Sequence, residues 1–356
     1  MGTLQEASFT NLGNSLRFQD WYSALAPVFY NISTNACNQT LTSYLNEPWD
    51  DLRCDAHLDC MLENTAESLK AKIASAAVFL GVLPSLLSLF GPSLAHLTLL
   101  SARRPFLAFC IACGNPGFYA GRLFTVETPA EAFEEYGGSR FIPRVKSLGW
   151  MIFISAVEYI LAGAAIFNVV TISLRIGDRV IMSFECRIWF LPIIWMGMFV
   201  VIFLIVAIPF QFSRTARHMR GSDSRWTDKG RRQLVEDEGG IRWVGDGNTW
   251  ETEKQSNIFR QYLMRELTPG ARQASLDARR IPEFERWMAS SLNFGYLLVA
   301  FHIILGTCWF SSTLFLSPKD AITIIMRYFG SSVACRLIIA VELAGLKARG
   351  EKVLSK

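Results

Sequence analysis

The chain has 356 residues, 51% of them hydrophobic and only 19% charged, with 26 Phe and a net charge of +4. That balance argues against an ordinary soluble protein, and no Lys/Arg stripe with interleaved aromatics points to a nucleic-acid partner. The expectation is an all-α integral membrane protein whose first partner is the lipid bilayer.

Residues 1–69 are polar and carry Asp50, Asp51, Asp55, Asp59, Glu63 and Glu67. The start lacks the basic and apolar regions of a signal peptide, and Glu6 stands where myristoylation needs Ser or Thr. Trp21, Tyr22, Phe29, Tyr30 and Trp49 can build a small helical cap, but a domain of this size usually needs staples. Two sequons, at Asn31 and Asn38, are glycosylation candidates if this segment faces the lumen or the outside.

Residues 73–100 read as the first span, kinked by Pro84 and Pro92, with Ser85 and Ser88 near enough to satisfy freed carbonyls. The loop 101–147 opens with the apolar run 105–113, which is too short to span and is expected to be interfacial or re-entrant. Its Cys110 and Cys113 have the spacing of half a zinc or redox site, but no second pair completes it. Buried thiols are the simpler reading, with palmitoylation as the alternative. Glu131, Glu134 and Glu135 read as a solvated face. Residues 148–173 form the second span and 188–212, with Pro192 and Pro209, the third.

The loop 213–291 is the largest soluble region and the expected surface for a protein partner. A β-hairpin is predicted around Gly245-Asp246-Gly247-Asn248, a turn that lacks the twelfth-position Glu of a calcium loop. A helix is predicted over 256–267. Residues 292–316 form the fourth span. The segment 321–346 holds Arg327, Arg336 and Glu342 and reads either as an interfacial helix or as a fifth span. Asp320, Thr323, Arg327, Ser331, Cys335 and Glu342 share one stripe, with Arg336 off it. The basic end, Lys347, Arg349, Lys352 and Lys356, favours five spans, because five return it to the cytoplasm. The chain thus divides into 1–69, 70–212, 213–291 and 292–356.

Basic residues set the orientation. Arg103, Arg104, Arg122, Arg140, Arg144 and Lys146 follow the first span, and Arg214, Arg217, Arg220 and Arg225 the third. Both loops lie inside if the N-terminus is outside; Arg175, Arg179 and Arg187 in the intervening loop count against the rule. This topology puts Cys37, Cys54, Cys60 and Cys186 in oxidising space, where two disulfides with three connectivities are possible and one bridge runs through Cys186. The protein is expected in the plasma membrane or an endomembrane.

Glu158 and His302 are the candidate site residues. Each lies within an apolar segment, where an ionisable group is costly unless it is paired. Glu158 shares a helix face with Ser155, Ala162 and Ala165, and His302 with Gly295, Val299 and Gly306. Small residues mark helix–helix contacts in membranes, so both groups should point inward. Counted from residues 148 and 292, they lie at similar depth, and contact between them is possible. No cofactor or metal site is recognised. The leading reading is a non-enzymatic sensor, adaptor or small transport component. The alternative is a membrane-embedded enzyme or accessory protein that acts on a lipophilic metabolite through Glu158 and His302 as an acid–base pair.

Overall fold

The computed structural model describes residues 17–119, 148–184, 186, 188–212, 266–267 and 286–354. The predicted hairpin at 245–248, the acidic cluster at 131–135 and most of the predicted helix 256–267 lie outside these residues. The described chain is largely helical. Helices α1 (Ala26–Asn31), α2 (Asn38–Asn46) and α3 (Asp51–Glu63) come first, with a π-helical turn, Ile32–Ala36, between α1 and α2. Then follow α4 (Glu67–Phe90), α5 (Leu94–Arg103), α6 (Pro105–Gly114), α7 (Leu148–Arg179), β1 (Ile181–Met182), α8 (Leu191–Phe212), α9 (Arg286–Ser311), β2 (Thr313–Leu314) and α10 (Pro318–Leu354). Among the described residues, α4, α7, α8, α9 and α10 are long and apolar enough to cross a membrane. The segment 321–346 is therefore part of a fifth long apolar helix.

The first expected span is corrected. Residues 73–100 are not one kinked helix but parts of two, α4 and α5, separated at Gly91-Pro92-Ser93. Pro84 is accommodated inside α4, whereas Pro92 stands where the helix stops. Pro92 has no N–H to donate and disfavours helical backbone at Gly91. The expected short run becomes α6, a ten-residue apolar helix. A second difference is a two-residue antiparallel ladder, Ile181↔Leu314 and Met182↔Thr313, in an otherwise helical chain.

Two compact units divide the chain. The first comprises Met1–Leu86, Val170–Met196 and His302–Tyr328. Its core joins the cap residues Phe18, Trp21, Phe29, Tyr44, Leu58 and Met61 to Ile181, Cys186 and Phe315. Trp21 and Phe29 each lie edge-on against Phe315, with ring centroids 5.2 and 4.9 Å away. Tyr30 and Trp49, expected in this core, are exposed.

Disulfides Cys37–Cys60 and Cys54–Cys186 staple the cap, the second tying α3 to the segment after α7. Asp50 caps α3, its carboxylate accepting from the Leu52 N–H at 3.1 Å. Arg17 is buried and caps the end of α7, donating to the carbonyls of Gly177, Cys186 and Ile188. Arg179, which counts against the charge rule, pairs with Asp20 of the cap at 2.9 Å.

The second unit comprises Leu87–Val169, Gly197–Phe301 and Phe329–Lys356. Here α5 and α6 form a helical hairpin with its turn at Arg104. The turn is dictated locally: Arg104 precedes Pro105, so it must leave the α region, and it does, at φ −128° and ψ 74°. Pro105 then occupies the first turn of α6, where its missing N–H costs nothing. Every residue of α5 is buried, the polar His96, Thr98, Ser101 and Arg103 included.

The open end of the hairpin closes on glycine. A Cβ on Gly91 would stand 1.8 Å from the Gly117 carbonyl oxygen, so only glycine fits. The Tyr119 N–H donates to the Pro92 carbonyl at 3.0 Å. Asn115 donates to the Gly117 carbonyl at 2.8 Å and accepts from Ser332 at 3.0 Å. These bonds satisfy irregular backbone that hydrocarbon would not tolerate.

Candidate functional site

The face of α7 that carries Glu158 is buried as expected: Ser155, Glu158, Ala162 and Ala165 are all enclosed. The element that covers it is α6. A Cβ on Gly114 would lie 3.0 Å from the Ala165 Cβ and 3.3 Å from the Ala162 carbonyl oxygen. Small residues on both helices thus allow close approach. Ten residues before Gly114, at the start of the same hairpin arm, Arg104 meets Ser155 and Glu158.

Arg104 is fully buried, and its guanidinium organises the site. Nη1 lies 2.5 Å from Glu158 Oε2 and 2.9 Å from Glu342 Oε1 of α10. Nη2 donates to the Ser155 hydroxyl at 2.7 Å. The guanidinium carbon is 5.4 Å from the centroid of the Tyr159 ring, within reach of a cation–π contact. The Tyr159 hydroxyl donates to Glu266 Oε1 at 2.7 Å, and the same oxygen accepts the Leu107 N–H at 2.8 Å. Glu266 thereby satisfies an orphan donor in the first turn of α6. Among the described residues, Glu158 Oε1, Glu266 Oε2 and Arg104 Nε have no hydrogen-bond partner.

Outward-facing neighbours of this cluster are apolar. Trp150, Ile152, Phe153 and Ile160 of α7, Phe106 of α6, and Leu337 and Val341 of α10 are exposed. A charged cluster is therefore enclosed at the level of an apolar surface band, where exposed charge would be strongly disfavoured. The stripe on α10 turns the same way: Ser331, Cys335 and Glu342 are buried and Arg336 is exposed, although Thr323, assigned to that stripe, is exposed too.

His302 belongs to the other unit. It is fully buried, with its ring stacked on Trp195 at 4.8 Å between centroids and 16° between planes. The Trp195 Nε1–H donates to the His302 carbonyl at 3.3 Å. Gly306, on the same face, leaves room for the indole, since a Cβ there would lie 2.4 Å from its nitrogen. Helix α9 begins at Arg286, six residues before the expected span start, so His302 is farther from the helix start than its distance from residue 292 implies. Glu158 is ion-paired with Arg104, and the His302 ring stacks on Trp195.

Cys110 and Cys113 lie half-buried on α6 with free thiols. Among the described residues no group of His, Cys, Asp and Glu could hold a metal ion. Sequence reasoning missed Arg104, Glu266 and Trp195 as site residues. Arg104 carries a sequence signal, because an Arg-Pro step at the end of an apolar helix favours a turn, but a basic residue beside a span counts equally toward orientation.

No family model matches the chain, and no curated protein or solved structure matches it.

Proposed function

We propose that this chain is a non-enzymatic multi-pass membrane protein, a small transport component whose working part is the α5–α6 hairpin with its Arg104 cluster. The observation that carries this reading is the buried Arg104–Glu158–Glu342 cluster at the turn of a discontinuous helical element. Membrane transporters build their sites from interrupted helices, and intramembrane charges mark such sites. The ion pair between Glu158 and Arg104 supports a charge-bearing role for Glu158 in this reading.

In this reading the N-terminal cap faces the lumen or the exterior. The basic loops and residues 213–291, the partner surface, face the cytoplasm. The exposed Asn31 and Asn38 side chains carry glycans.

Reconstitution of the purified full-length chain into proteoliposomes tests the proposal. Vesicles containing it should pass protons, monovalent cations or small neutral solutes faster than empty vesicles. Vesicles that stay as tight as empty ones to all three, with both disulfides intact, would overturn it.

A further inference from the structure

The cap holds an arrangement that bears on its own modification. His57 of α3 is fully buried, and both of its ring nitrogens are occupied. Ser33 Oγ lies 3.0 Å from Nε2, and Thr40 Oγ1 lies 2.8 Å from Nδ1. Those two hydroxyls are the third positions of the two sequons, Asn31-Ile32-Ser33 and Asn38-Gln39-Thr40. The tautomer follows from the bonds. Thr40 gives its hydroxyl proton to the Cys37 carbonyl at 2.9 Å, so it accepts from Nδ1–H. Nε2 is then the acceptor, and Ser33 donates to it. Cys37 itself is bridged to Cys60, which fixes α3 against the sequon segment. Both asparagines are exposed, but the backbone around them is helical, Asn31 ending α1 and Asn38 opening α2.

We propose that closure of the cap and N-glycosylation at Asn31 and Asn38 exclude each other in time, with His57 as the residue that closes the acceptor sites. The inference rests on the reading that the cap is lumenal. Transfer forms a bond from the asparagine amide nitrogen to the anomeric carbon of a lipid-diphosphate-linked oligosaccharide. The anomeric carbon–oxygen bond breaks, the lipid diphosphate leaves, and one amide proton goes to a base of the transferase. The transferase selects sequons by their hydroxyl residue. In the closed cap Ser33 is buried and both hydroxyls are engaged by one imidazole. The sugar is therefore added to the open, reduced segment; the Cys37 and Cys60 thiols then pass two electrons and two protons to a lumenal disulfide-exchange oxidant, and the S–S bond that forms ends the period of acceptance.

The test uses the full-length chain purified without glycan from cells with a blocked transferase. It is incubated with solubilised oligosaccharyltransferase and a lipid-linked oligosaccharide, and mass shifts are read at Asn31 and Asn38. Oxidised wild type should remain unmodified, and dithiothreitol-reduced wild type should be modified at both sites. His57→Ala, with both disulfides verified by mass, should accept sugar while oxidised. Equal modification of oxidised and reduced wild type would overturn the ordering. An oxidised His57→Ala chain that stays unmodified would overturn the role of His57. No modification of any form would instead refute the glycosylated-cap reading beneath it.

Discussion

At the residue scale, Arg104 decides the character of the molecule. One guanidinium serves two carboxylates and a hydroxyl inside an apolar surround. Removing one member of such a buried ion group leaves uncompensated charge, whereas neutralising the whole group is often tolerated. Arg104→Met should therefore destabilise the protein by about 3–5 kcal/mol, read as thermal unfolding in detergent. Arg104→Lys should be intermediate, because an ammonium cannot reproduce the planar fork that reaches Ser155 and Glu158 together.

His57 gives a second prediction at this scale. Burial pushes its imidazole down to about 4 from the usual 6.5. A depressed value means that the folded cap favours the neutral ring. The stabilisation is complete above pH 6.5 and is lost as pH falls from 6.5 through 4. Limited proteolysis of the cap should accelerate across that window in wild type. In His57→Gln it should show a weaker pH dependence; equal pH dependence in both would assign the acid sensitivity elsewhere.

Glu158 was legible from the sequence because a carboxylate inside an apolar helix is costly unless it is paired. Its partner was not. Helix periodicity specifies which face Glu158 occupies, and the small residues around it correctly indicate a close-packed neighbour. They do not specify which helix arrives there. Arg104 lies where basic residues ordinarily flank membrane spans, so its charge was absorbed into the orientation count.

At the scale of elements, the α5–α6 hairpin depends on a few positions with no steric freedom. Gly91 faces the Gly117 carbonyl, and Gly117 lies against Leu87, where a Cβ would be 2.8 Å from the Leu87 Cβ. Gly91→Ala should cost about 1–3 kcal/mol as an overpacking change, or open the hairpin. Gly163→Ala is the control, since a Cβ there meets nothing within 4 Å. Equal thermal stability of the two variants would refute this account of the closure. The hairpin could be anticipated only in part. The run 105–113 was too short to span and pointed to a re-entrant piece, whereas the preceding apolar stretch looked continuous because hydropathy does not register the break at Gly91-Pro92.

At the scale of the whole molecule, the five long apolar helices and the four paired cysteines were readable from composition, length and compartment logic. The connectivity was not, since four cysteines allow three pairings and only the packing of α3 selects one. The Cys54–Cys186 bridge closes a separation of 132 residues. Cys54→Ser should lower stability by about 2–5 kcal/mol, the ordinary cost of losing a native disulfide, read as thermal unfolding in detergent.

If the Arg104 cluster serves transport and not only folding, its charges are needed for flux. The direct test is flux through proteoliposomes containing the triple variant Arg104→Met, Glu158→Gln, Glu342→Gln, in which the whole charged group is neutralised and the fold should be retained. A folded protein with no flux above empty vesicles is expected, its fold checked by thermal unfolding in detergent. A folded triple variant with wild-type flux would contradict it and leave the cluster as structural glue.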